Sequence, residues 1–154
     1  MFKKLKNMVG IEGVKIKLDL PKEIHAKTGV IAGRLYFLSK QKHTVTDVSL
    51  RLIEKYSRGR GDNRLTDEYE LGRLMFDRPF QIEADEPLEL DFELPFELLK
   101  SDMDSFEGRL IIGKLATAAK MLRQVKSEYR IEAEAKVKGA LLNPFVMEDI
   151  KIRS

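Results

Sequence analysis

The chain has 154 residues, 43% of them hydrophobic, and no cysteine, which suits one globular domain and rules out a disulfide framework or a thiolate metal site. Its net charge of +3 conceals a basic–acidic–basic layout: residues 1–60 carry 14 Lys/Arg against 5 Asp/Glu, residues 66–108 carry 3 against 14, and residues 109–154 carry 10 against 5. Such a layout lets opposite signs meet across neighbouring strands, its other reading being one acidic and one basic docking patch, and no run nears the roughly 20 apolar residues of a spanning helix.

Residues 2–9, FKKLKNMV, read as a short amphipathic helix with Phe2, Leu5, Met8 and Val9 on one face and Lys3, Lys4 and Lys6 beside it. No apolar run of about 7–15 residues follows this basic start, so no signal peptide is read and a cytoplasmic location is expected. VKIKLDL then alternates Val14, Ile16, Leu18 and Leu20 against Lys15, Lys17 and Asp19, until Pro21 stops the strand. Thr28 to Leu38 is the second strand, with Ile31, Gly33, Leu35 and Phe37 on one face and Tyr36 and Leu38 making the far end apolar on both. Gly33 predicts a bulge or a close backbone approach. Val45 to Tyr56 is the third strand, and its phase shifts at Ile53, where another bulge is expected.

Ser57 to Arg64, SRGRGDNR, reads as a polar hairpin turn. A fourth strand covers Asp67 to Phe76, with Pro79 to Glu83 as its continuation. The next segment alternates without a fault: Leu88, Leu90, Phe92 and Leu94 against Glu89, Asp91 and Glu93, bracketed by Pro87 and Pro95. A period of two gives one buried and one wet face. Arg109 to Ile112 reads as a short strand, and Lys114 to Val125 as an inserted helix with Leu115, Ala118, Ala119, Leu122 and Val125 at spacings of three and four. Its polar positions include Lys120 and Arg123. SEYRIEAEAKVKG sets Tyr129, Ile131, Ala133, Ala135 and Val137 against a charged face. After the Asn143-Pro144 turn, Val146, Ile150 and Ile152 mark a last strand. Seven or eight strands separated by turn signals predict an all-β antiparallel sandwich, one domain over residues 1–154.

The sequence states little chemistry. His25 and His43 lie in polar connections beside lysine, and two histidines without further ligands make no metal site. Ser49, Ser101 and Ser105 stand in no nucleophile motif. Paired carboxylates leave a hydrolase as an alternative, although Glu89, Asp91 and Glu93 read as the wet face of a strand. Asp102-Met103-Asp104 lacks the ligand run of a calcium loop. RGRG, Arg58 to Gly61, lacks the interleaved aromatics of a nucleic-acid platform.

Several stretches together resemble the arrestin-like superfamily and, within it, the bacterial sporulation-control (Spo0M-like) family. They are FKKLKNMVGIEGVKIKLDL, TGVIAGRLYF, VSLRLIEKYS, RPFQIEADEPLELDFELPFEL and SEYRIEAEAKVKG. The resemblance implies an immunoglobulin-like sandwich that serves protein–protein interaction and regulation, with no catalytic residue and no cofactor. It differs in length, since the longer relatives carry two sandwiches in tandem. The expected function is a non-catalytic interaction or regulatory scaffold with a protein partner and no nucleic acid. A homodimer and a peripheral membrane contact through the basic N-terminal segment are the further alternatives. The candidate interaction residues are Lys3, Lys4, Lys6, Glu89, Asp91, Glu93, Lys120 and Arg123.

Overall fold

The computed structural model describes residues 13–59, 64–98 and 126–153. These form nine strands: β1 (Val14–Asp19), β2 (Glu23–His25), β3 (Val30–Ser39), β4 (His43–Arg58), β5 (Leu65–Phe76), β6 (Phe80–Ile82), β7 (Leu88–Pro95), β8 (Lys126–Val137) and β9 (Phe145–Arg153). The expected N-terminal helix, the strand at 109–112 and the helix at 114–125 lie outside the described residues. The strands make two sheets, one in the order β1-β3-β7 and one in the order β2-β9-β8-β4-β5, with β6 also pairing β4. The chain is therefore an all-β sandwich, antiparallel except where β2 runs parallel to the end of β9.

The alternation read in the sequence sets the core. Val14, Ile16 and Leu18 of β1, Ile31, Leu35 and Phe37 of β3, and Phe92 and Leu94 of β7 face Val48, Leu50 and Leu52 of β4 and Ile131, Ala133 and Ala135 of β8 in one buried cluster. Leu88 and Leu90 pack against its rim. Phe37 meets Phe80 edge to face with ring centroids 5.4 Å apart, a favoured aromatic geometry. Tyr36 and Leu38 form a small second cluster on the outer face of the three-stranded sheet, as their doubled apolar pattern implied.

Two glycines are fixed by close approach. A Cβ on Gly33 would stand 2.5 Å from the ring tip of Phe92 and 3.0 Å from Asp19 O; the β3–β7 register runs through Gly33 unbroken, so the residue marks an approach and no bulge. A Cβ on Gly72 would overlap the Pro95 carbonyl and lie 3.0 Å from Phe96 Cβ. There the chain leaving β7 runs beside β5, and Glu97 N–H donates to Leu71 O at 3.1 Å.

Three expectations are corrected in detail. The register does shift beside Ile53, but only against β5; on the β8 side Ile53 pairs regularly with Arg130. The extra residue is thus Leu71 of β5, and Ile53 is left on the outer face. The histidines are not in loops. His25 ends β2 and His43 begins β4, because each joins a ladder with a neighbour distant in sequence. Finally, β2 itself went unread, since three residues are too few to show a period.

Candidate interaction surface

The outer face of the large sheet absorbs most of its own charge. Successive rows across β9, β8, β4 and β5 run Met147–Glu132–Arg51–Arg73 and Asp149–Arg130–Ile53–Glu70. Glu132 accepts from Arg51 Nη2 at 2.6 Å and from Arg130 Nε at 2.7 Å. Arg130 Nη2 reaches Glu68 Oε2 at 2.8 Å, and Arg73 reaches Glu70 at 3.0 Å. That hydrogen bond to Arg130 holds the Glu68 carboxyl below its usual range and raises the guanidinium above its own. Lys126 likewise lowers Glu128. Basic and acidic segments of the sequence thus meet across strands, and the lattice covers Ile53, which is 5% exposed.

The acidic residues of β7 sit as read, on the exposed face, and Arg34 of β3 stands among them. Its Nε donates to Asp91 and its Nη1 lies 3.4 Å from Glu89. Hydrogen bonds to Asp91 and then Tyr36 raise the Arg34 guanidinium. Glu93, opposite Ala32, has no ion pair with a described residue. An open groove of about 930 Å³ runs past Asp19, Arg34, Asp91 and Glu93 to Leu74 and Phe76. Lys3, Lys4, Lys6, Lys120 and Arg123 lie outside the described residues. Among the described residues no three His, Asp or Glu side chains come together to hold a metal ion, and no helix is long and apolar enough to cross a membrane.

Backbone phase distinguishes two sheet edges. In an antiparallel ladder, alternate residues turn their N–H and C=O toward the same neighbour. Phe96 N–H donates to Gly29 O at 3.0 Å, so the even residues of β7 face β3 while Glu89, Asp91, Glu93 and Pro95 face outward. That edge is guarded by three acidic side chains and by prolines that lack the donor. On β9, Pro144 O accepts from Ala135 N–H at 3.1 Å, so the even residues face β8. Phe145, Met147 and Asp149 then turn their backbone groups outward. Lys151 N–H, which reaches Lys22 O, confirms the phase, and β2 occupies β9 from Lys151 to Arg153 alone.

Beside the part of the β9 edge that no described strand pairs stand Leu141, fully exposed, with Leu142 63%, Phe145 40% and Met147 58% exposed. Sequence reading centred on the in-phase Val146, Ile150 and Ile152 and missed this edge. The signal was present in LLNPFVM, where apolar residues also fill the out-of-phase positions.

The family model for Spo0M, described as SpoOM protein, matches residues 2–99. The chain belongs to the Spo0M family. Among solved structures, this Spo0M-family chain is similar to Spo0M, the sporulation control protein of Bacillus subtilis, with a TM-score of 0.64 and 12% identity. The match covers 94% of this chain and 51% of that one; the chain spans about half the length of that relative, and at this identity the likeness shows the sandwich fold. No curated protein matches.

Proposed function

We propose that this Spo0M-family chain is a non-catalytic regulatory module that holds a protein partner by strand addition at the β9 edge. The observation that carries the reading is the row of outward N–H and C=O groups at Phe145, Met147 and Asp149, flanked by exposed apolar side chains. Backbone pairing supplies affinity in this mode, and alternate side chains supply selectivity. The guarded β7 edge and its groove are the weaker site, because Arg34 already neutralises Glu89 and Asp91.

A photo-crosslinking residue placed at Met147 or at Glu93 in the full chain tests this in native cells. Protein adducts from position 147, and few from 93, support the β9 edge. Adducts from 93 alone move the site to the β7 groove. Turnover of a small molecule by the purified chain overturns the non-catalytic reading.

A further inference from the structure

The structure assigns a second copy of this chain as the strand that occupies the β9 edge. The inference rests on the strand-addition reading and specifies its partner. Two copies related by a two-fold axis would pair β9 antiparallel with itself, and an isologous contact must match one surface to itself. The outward phase of the odd residues limits the register, because hydrogen-bonded pairs must join odd residues to odd ones.

Four two-fold registers meet that condition near the exposed residues. With the axis at Phe145, Met147 falls opposite Asn143, outside β9, and only the Phe145 pair joins strand to strand. With the axis at Glu148, like carboxylates stand face to face and the second copy's Lys151 is already taken by its β2. With the axis at Met147, Phe145 lies against Asp149 of the other copy and Val146 against its Glu148, so apolar groups cover charges. With the axis at Val146, Phe145 lies opposite the second copy's Met147, and the reverse pair repeats it. Val146 then meets its own copy, and Asp149 meets Asn143. No like charges are directly opposed, which would cost stability. Phe145 and Met147 each offer one donor and one acceptor per copy, giving about four hydrogen bonds across the axis.

The same register deals with an exposure that the monomer leaves standing. Of the exposed large apolar residues among the described ones, Leu141, Leu142, Phe145 and Met147 fall within one seven-residue stretch, while Leu65, Tyr69 and Met75 are dispersed along β5. A flat edge bearing apolar side chains invites pairing. In the self-paired arrangement it is filled, and the two large sheets join into one.

Sedimentation of the full chain from about 1 to 200 μM tests the proposal. A concentration-dependent species of twice the 17.7 kDa monomer mass is expected. Met147→Lys should weaken the dimer at least tenfold. Met75→Lys, at a residue of similar exposure on β5, should leave the dimer intact. The chain has no cysteine of its own, so the register is read directly by mixing Phe145→Cys with Met147→Cys chains. The mixture should form disulfides faster than either alone. A monomer at 200 μM overturns the self-pairing, and so does a dimer indifferent to Met147→Lys. Faster crosslinking of Met147→Cys by itself overturns the register. A monomer whose position 147 still captures a different protein sinks this inference while the strand-addition reading stands.

Discussion

Gly72→Ala should destabilise this sandwich more than its single added methyl suggests. The backbone at Gly72 is not in the left-handed region, so alanine is conformationally allowed. Its smaller unfolded-state freedom even favours folding by about 0.4–1 kcal/mol. Against that, the new Cβ overlaps the Pro95 carbonyl and crowds Phe96 Cα at 3.1 Å. Both are backbone atoms, held where the chain leaving β7 lies against β5, and the carbonyl must retreat by about 1 Å to restore contact distance. Overpacking of this kind costs about 1–3 kcal/mol. The movement also strains the neighbouring Glu97-to-Leu71 hydrogen bond, worth about 1 kcal/mol. The net loss is about 2–3 kcal/mol, or roughly 5–10 °C in Tm for a domain of this size. Gly33→Ala is the internal comparison. Its first obstacle is the tip of the Phe92 ring, a side-chain atom that a small swing of the whole side chain can withdraw, so a smaller loss of about 1 kcal/mol is expected. Scanning calorimetry of both variants decides the matter. A Gly72→Ala protein melting within 2 °C of the parent, or above Gly33→Ala, refutes the reasoning.

Further outcomes follow from the charge lattice and the core. Glu132→Ala removes the carboxylate that accepts from both Arg51 and Arg130, each of which keeps one other partner, Glu70 and Glu68; about 1–2 kcal/mol should be lost, read as a urea midpoint roughly 0.5–1 M lower. Glu68 has its folded pKa depressed by Arg130. Its contribution is therefore present above the ordinary carboxylate range and lost as pH falls through the depressed value. Glu68→Gln should flatten the fall in Tm between pH 5 and pH 2, and an unchanged acid limb would refute the link. Phe37→Ala, at a fully buried site against Phe80, should cost about 3–5 kcal/mol by chemical denaturation.

The core was legible because strand alternation and burial are the same fact seen twice. Leu88 to Leu94 and Tyr129 to Val137 announced their inward faces, and the structure buries those faces. The phase shift at Ile53 was legible as well, but the strand carrying the extra residue was not. A single strand's pattern cannot tell an insertion in itself from one in its neighbour. The acidic surface was readable from Glu89, Asp91 and Glu93; its partner Arg34 was not, being more than fifty residues away. The β9 edge, open among the described strands, was hidden for a different reason. Edge status is a property of sheet order, which appears once β2 is seen to cover only residues 151–153.

The parallel contact of β2 with the end of β9 also has a consequence for the order of folding. It ties Glu23–His25 to residues 151–153, with Arg153 joined to Glu23 by an ion pair, so it spans nearly the whole sequence. Contacts that distant form late. During folding the neighbouring pair β4 and β5 can form early, while β9 keeps its outward groups unclaimed by any described strand until β2 arrives. The clasp thus sets the length of the open edge late in folding: until it closes, Lys151 N–H joins the outward run of Phe145, Met147 and Asp149.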